Sequence, residues 1–81
     1  MRLYFKTMTA KTITLEDVEG SDTILQLKQR FKEKEGVPLE HQLYAFAGKR
    51  LENDRTIAEY NIQHESTIQF IYYDTTTQTT Q

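Results

Sequence analysis

The 81-residue chain contains no cysteine, one proline and only three glycines. Without cysteine it can form neither a disulfide framework nor a thiolate metal site, and a cysteine nucleophile is excluded. No apolar run approaches the roughly 20 residues that a membrane-spanning helix needs. The opening residues, MRLYFKTMT, lack the continuous apolar core of a signal peptide. We therefore expect a soluble protein of the cytoplasm or nucleus, with no membrane partner.

Neither sign of charge dominates the sequence. Ten Lys and Arg residues stand against twelve Asp and Glu residues, which gives a formal net charge of -2, and the two signs are interspersed. Nucleic-acid-binding proteins instead cluster Lys and Arg on one surface, so we expect no nucleic-acid partner. A chain of this length forms one small domain and buries roughly 60% of its unfolded surface. We expect a monomer with one compact core.

The stretch ILQLKQRFKEKEG predicts the only helix, from residue 24 to about residue 35. Its apolar residues recur at i, i+3 and i+7 in one stripe, and its charged residues, among them Lys28, are expected to point to solvent. Thr23 and Gln26 have the spacing of a capping box. Gly36 can adopt the left-handed conformation that ends a helix, and a proline soon afterwards cannot continue it. Both helix ends are therefore encoded locally.

Two stretches before the helix predict a β-hairpin. Residues 2–7, RLYFKT, and residues 12–16, TITLE, alternate apolar and polar side chains, and Met8 lies at the tip between them. Strict alternation would then bury Asp17 and expose Val18. We therefore expect a bulge or an early strand end that returns Val18 to the core.

Two further strands follow the helix. Residues 42–46, QLYAF, alternate with Tyr44 and Phe46 inward, and a turn is expected over residues 47–50. Residues 67–73, TIQFIYY, are rich in β-branched and aromatic residues and predict a central strand, with Tyr72 among its inward side chains. The order of elements predicts an α+β domain over residues 1–73, with the helix packed on one face of a mixed sheet of four to five strands.

The last residues differ in composition from the rest of the chain. From residue 74 the sequence reads DTTTQTTQ and has no apolar residue. Such a segment cannot bury enough surface to offset the entropy of ordering, so residues 74–81 are predicted to be a disordered tail rich in Thr and Gln.

Several long stretches of the chain resemble the ubiquitin family from Met1 to about Tyr73. They are KTMTAKTITLE, SDTI, KEKEGVP, FAGKRLE and DRTIAEYNIQHEST, with Asp17 or a neighbour as a single insertion. The resemblance implies the β-grasp fold, which agrees with the order of elements predicted from the residues.

The same resemblance bears on covalent attachment. Family members are joined to lysines of other proteins through a C-terminal Gly-Gly, whereas the matching positions here, residues 72–77, read YYDTTT, and no Gly-Gly follows. Branched threonines cannot thread the narrow enzyme channel or present an unhindered carboxylate. Leu43 and Tyr73 also replace two arginines that help the activating enzyme to recognise the family. We therefore expect a protein that is not conjugated.

The family's non-covalent partners mostly dock on an apolar patch on the outer face of the sheet. Ala45 replaces an isoleucine at the centre of that patch, a loss of about 2 kcal/mol at roughly 0.8 kcal/mol per CH₂. Neighbouring apolar residues are expected to shift the patch and enlarge it. The predicted partner-binding residues are Met8, Leu43, Ala45, Lys49, Gln69, Ile71 and Tyr73. The implied partners are proteins with ubiquitin-binding modules, such as proteasome receptors and ubiquitin-interacting helices.

Other polar residues carry weaker signals. Four lysines match family positions that accept further ubiquitin, although we favour the simpler interpretation that they only solvate a small domain; they are Lys6, Lys11, Lys34 and Lys49. His41 and His64 stand alone, without partners at ligand spacing, so no metal is expected. There is no paired acid and base and no phosphate-binding glycine loop. We expect neither a cofactor nor an enzyme.

Two alternative hypotheses stay open. The chain could be a covalent modifier with an unusual terminus. It could also be a divergent or engineered β-grasp fold that has lost the family's function, because Phe5, Phe31 and Phe70 replace smaller aliphatic residues and repack the core. In that case Ala45 would be a by-product of the repacking.

Overall fold

A computed structural model describes residues 1–72, which form one helix packed on a five-stranded sheet. The elements are β1 (Leu3–Lys6), β2 (Thr12–Leu15), α1 (Ile24–Glu35), β3 (Gln42–Phe46), β4 (Lys49–Arg50) and β5 (Thr67–Tyr72), with short 3₁₀ turns at Leu39–His41 and Ala58–Tyr60. The strand order is β2-β1-β5-β3-β4. Strands β1 and β5 are parallel and the other pairs are antiparallel. The predicted α+β, β-grasp architecture is confirmed.

Helix α1 begins and ends where the sequence predicts. The Gln26 amide donates to the Thr23 hydroxyl at 3.2 Å, and the Gln26 side chain accepts from the Thr23 amide at 2.7 Å, which completes the capping box. Gly36 has a φ of 76° and its amide donates to the Lys32 carbonyl. Local chemistry therefore sets both ends of the helix.

Four aromatic rings fill the space between the helix and the sheet, and we call Phe5, Phe31, Tyr44 and Phe70 the aromatic cluster. The Phe31 ring stacks on Phe70 with centroids 4.6 Å apart and meets Phe5 edge-on at 5.6 Å. Phe5 and Tyr44 lie 5.0 Å apart. The surrounding buried side chains are Leu3, Ile13, Leu15, Val18, Ile24, Leu27, Leu51, Ile57, Ile62 and Ile68.

The predicted irregularity after β2 is confirmed as an early strand end. The strand stops at Leu15, Asp17 adopts a left-handed conformation with a φ of 57°, and Val18 is buried. The Val18 amide donates to the Met1 carbonyl at 2.8 Å, so the chain regains its pairing after one surplus residue.

Two predicted side-chain positions are wrong. Tyr72, expected inside, is 51% exposed, because it pairs with Gln42 at the end of the sheet and its ring stacks on His41 instead of entering the core. Lys28, expected in solvent, is only 6% exposed, since it follows Ile24 by one helical turn and so borders the apolar stripe.

The predicted turn over residues 47–50 is also wrong in its second half. Ala47 and Gly48 both have positive φ, 54° and 77°, and form a two-residue hairpin turn by themselves. Lys49 and Arg50 therefore pair with Phe46 and Ala45 as strand β4.

Candidate functional site

The face of the sheet that points away from helix α1 carries most of the predicted binding residues. In the register of β3 and β5, Leu43 lies opposite Ile71 and Ala45 lies opposite Gln69. The pair between them, Tyr44 and Phe70, points into the aromatic cluster, so these four side chains point outward. We call Leu43, Ala45, Gln69 and Ile71 the outer-face group.

The outer-face group contains an apolar pair, Leu43 and Ile71, and one short side chain, that of Ala45. Leu43 and Ile71 are half-buried neighbours across the two strands, at the separation where cross-strand side chains contact. Ala45 extends no further than its Cβ and lies between two longer side chains, those of Gln69 and Arg50. The outer face is therefore apolar at Leu43 and Ile71, and its shortest side chain is at Ala45.

Cations lie on both sides of Ala45. Strand β1 places Lys6 beside Gln69, and strand β4 places Arg50 beside Ala45, so Lys6, Gln69, Ala45 and Arg50 form one row across four strands. Adjacent strands are about 4.8 Å apart, which separates the two ends of the row by about 14 Å. Among residues 1–72, neither Lys6 nor Arg50 forms an ion pair. The face is therefore locally basic although the chain is weakly acidic.

Of the three remaining predicted binding residues, the structure describes Met8 and Lys49. Met8 is 75% exposed and borders a groove of about 250 Å³ on the side of Val37 and Tyr72, at the end of the helix. Lys49 pairs with Phe46, so the register places Arg50 rather than Lys49 on the face of Ala45. Tyr73 lies outside the described residues, as does the predicted tail. The register thus brings together four of the six predicted binding residues that lie within residues 1–72.

The two cations of the row were missed as members of this face. Lys6 joins it through the parallel pairing of β1 with β5, which links segments about sixty residues apart and leaves no local signature. Arg50 joins it because the hairpin turn is two residues long. The signal available in the sequence was Gly48, because a two-residue hairpin turn favours a residue that readily adopts positive φ.

The four predicted acceptor lysines, Lys6, Lys11, Lys34 and Lys49, are all exposed. The Lys11 ammonium forms an ion pair with Glu35 at 3.4 Å. Ion pairs at the protein surface contribute little to stability, so this one restrains the lysine only weakly. Their modification stays a prediction.

Two shifted pKa values mark the interior behind the outer face. Burial raises the pKa of the Tyr44 hydroxyl, which donates to Gln42 Oε1 at 2.8 Å. Burial, and secondarily the charge of Arg50, lowers the pKa of Lys28. At the far end of β1, hydrogen bonding to Tyr4 and the hydrogen bonds that the guanidinium donates to Glu16 raise the pKa of the exposed Arg2 side chain.

Within residues 1–72, no three His, Cys, Asp or Glu side chains converge as a metal site would require. The helices in the same range are also too short or too polar to cross a bilayer.

Comparison with known proteins gives a consistent set of similarities. The profile of the ubiquitin family matches residues 3–72. The NEDD8-like protein RUB3 of Arabidopsis thaliana is 39% identical over 71 residues, covering 88% of this chain and 90% of that protein. The ubiquitin-like protein NEDD8 of Dictyostelium discoideum is 35% identical over the same length, covering 88% and 91%.

A longer protein matches over a small part of itself. The UV excision repair protein rhp23 of Schizosaccharomyces pombe is 29% identical over 68 residues, which cover 84% of this chain but 18% of that protein. The same kind of domain therefore occurs both as nearly a whole protein and as one part of a longer chain.

Proposed function

Because the chain belongs to the ubiquitin family, we propose that it acts by non-covalent protein binding through the outer-face group and is not itself conjugated. Its partners are proteins of the ubiquitin–proteasome system that carry ubiquitin-binding modules, among them proteasome receptors. One observation carries the proposal: the apolar pair Leu43 and Ile71 lies beside the short side chain of Ala45, which is flanked by cations without ion-pair partners in the described part of the chain.

The proposed occupant is an amphipathic helix. An apolar stripe on such a helix would cover Leu43 and Ile71 and insert one side chain at Ala45. Acidic residues beside the stripe would face Lys6 and Arg50, whose charges favour encounter and fix orientation more than they add affinity. A helix about 10 Å in diameter fits between Lys6 and Arg50, because the backbones of their strands are about 14 Å apart.

The test is an amide chemical-shift titration of the labelled chain with an acidic helical ubiquitin-interacting peptide. Saturable shifts are expected at residues 42–50 and 67–72. The double variant Leu43→Ala, Ile71→Ala should weaken binding about thirtyfold, because the lost methylene contacts are worth about 2 kcal/mol together once their existing burial is discounted. Affinity should also fall as salt rises.

A matched control lies on the same face two strands away. Thr12→Ala with Thr14→Ala changes two outward side chains of β2 and should leave the affinity unchanged. Equal binding by the Leu43, Ile71 double variant, or shifts confined to other faces, would contradict the proposal. No shift at any peptide concentration would favour a fold that has lost this family's binding.

Covalent modification is the second candidate, and the similarity to NEDD8-like proteins at 39% and 35% identity favours it. The residues that match the conjugated terminus, YYDTTT, contain no glycine. Incubation with the family's activating enzymes and ATP is therefore expected to give no thioester by mass measurement. A thioester of this chain would replace the proposed function with a modifier function.

A further inference from the structure

The side of helix α1 that faces β3 and β4 holds a buried lysine. Lys28 is 6% exposed, and its ammonium lies 5.6 Å from the centroid of the Tyr44 ring. Within residues 1–72 it has no hydrogen-bond acceptor and no carboxylate at ion-pair distance. In that range no fully buried side-chain nitrogen lacks a partner, so the stem of Lys28 is buried while its ammonium keeps contact with solvent and has no counter-charge.

Two depressions open beside this ammonium, and Lys28, Arg50 and Asn53 line both. The first, about 300 Å³, is completed by Leu39, Glu40, Gln42 and Leu43. The second, about 520 Å³, is completed by Leu51, Glu52 and Asp54. The two depressions thus share a lysine, an arginine at the edge of the outer face and an asparagine as lining residues.

The Gln42 side chain beside these donors is held by three hydrogen bonds to other groups. Its Nε2 donates to the carbonyls of Lys28 and Val37, both at 2.9 Å, and its Oε1 accepts from the Tyr44 hydroxyl. In the described part of the chain, Lys28, Arg50 and Asn53 make no side-chain hydrogen bond. Three side chains that carry donor groups therefore line the depressions without a protein acceptor among residues 1–72.

The charges around the two depressions decide which anion fits. The first contains two cations and one carboxylate, Glu40, and so has one surplus positive charge. The second has two cations and two carboxylates, Glu52 and Asp54, and is balanced. A singly charged carboxylate would neutralise the first depression, whereas a phosphate dianion would add a charge that the three neighbouring carboxylates repel.

We propose that Lys28, Arg50 and Asn53 form a carboxylate-binding pocket, in the depression bounded by Glu40 and Leu43. Leu43 also belongs to the outer-face group, and Arg50 lies in register with Ala45, so the pocket adjoins the face where a partner helix would lie. The carboxylate is that of a Glu or Asp side chain of the docking protein. That last assignment rests on the proposed function; the pocket itself does not.

The pocket is tested first on the protein alone, with acetate as the probe. Burial and Arg50 depress the pKa of Lys28, and a bound carboxylate opposes both effects. At acetate concentrations about ten times the dissociation constant of the ammonium form, NMR titration of the Lys28 Cε should show its pKa raised by about one unit. Sodium chloride at equal ionic strength is the anion control.

Variants locate the effect. Lys28→Met keeps the packed length of the side chain and should abolish the acetate-induced shifts at Asn53, as should Arg50→Gln, which leaves the core untouched. Lys34→Met, on the exposed side of the same helix, should leave them intact. No rise of the Lys28 pKa beyond that in chloride overturns the pocket, and an equal or larger rise in phosphate overturns its preference for a carboxylate.

The source of the carboxylate is tested with the acidic helical peptide and a copy in which its Glu residues are Gln. Lys28→Met should weaken binding of the acidic peptide about tenfold and leave the Gln peptide unaffected. If the wild-type protein and Lys28→Met bind the acidic peptide with equal affinity, the carboxylate does not come from a docking protein and that assignment is overturned. Absence of peptide binding to either chain counts against the proposed function alone, because the acetate titration decides the pocket separately.

Discussion

Replacing Phe31 with alanine is expected to lower the free energy of unfolding by about 3–5 kcal/mol. The side chain is fully buried, stacks on Phe70 at 4.6 Å and meets the rings of Phe5 and Tyr44 edge-on. Its loss would remove burial and leave a cavity between the helix and the sheet. Domains of this kind are stable by about 5–15 kcal/mol, so urea unfolding should show a loss of a large share of the total.

The matched control for this change is Leu25→Ala. Leu25 lies on the same helix but is 36% exposed, so its truncation should change stability far less. Phe31→Leu keeps most of the apolar volume and should give an intermediate loss. If Phe31→Ala and Leu25→Ala cost the same, the aromatic cluster does not hold the helix on the sheet.

The aromatic cluster also determines the outer face. Tyr44 and Phe70 lie opposite each other on the inner side of β3 and β5, and their strand neighbours form the outer-face group. A one-residue slip of either strand would turn the core aromatic outward and the outer residues inward. The large rings therefore fix the register that places Leu43 beside Ile71, and a repacked core is compatible with a preserved binding face.

The sequence predicted the features that depend on local chemistry. The helix ends follow from the caps at Thr23 and Gly36, and the outward position of Leu43, Ala45 and Ile71 follows from strand alternation alone. Whether a side chain near the edge of a helical stripe is buried depends on the neighbouring strands. Helical periodicity alone therefore places Lys28 in solvent, whereas packing against the strands buries it.

Features that depend on pairing between distant segments could not be predicted in the same way. The row from Lys6 to Arg50 needs both the parallel register of β1 with β5 and the short turn before β4. Family resemblance alone assigns Met8 to the outer face; Met8 lies in the segment between β1 and β2 and is one of the residues that line the groove beside Tyr72. Strand alternation cannot position a residue at the tip of a turn.

The free energy of unfolding is expected to fall by about 1.4 kcal/mol for each pH unit above 10 through Tyr44 alone. Burial raises the pKa of Tyr44 above the ordinary value of 10.0, and its hydroxyl donates a hydrogen bond to Gln42 that a phenolate could not make. Above pH 10 the unfolded chain loses this proton while the folded chain keeps it. The folded state then binds more protons, so stability decreases as pH rises.

Lys28 acts in the opposite direction over an earlier range. The pKa of Lys28 in the folded chain is lowered from the ordinary value of 10.5. Between the lowered pKa and 10.5 the unfolded chain binds more protons than the folded chain, so stability rises with pH. Urea unfolding at a series of alkaline pH values should therefore pass through a maximum near pH 10. Lys28→Met should remove the rise, and Tyr44→Phe should reduce the fall.

Only the slopes of these alkaline curves are informative for Tyr44→Phe, because the variant also leaves Gln42 Oε1 without its donor at a cost of about 1–3 kcal/mol at every pH. A Tyr44→Phe curve that runs parallel to the wild-type curve above pH 10 would show that Tyr44 does not stay protonated in the folded chain. The ring would then be open to solvent, and the packed wall between the aromatic cluster and the Lys28 pocket would be absent.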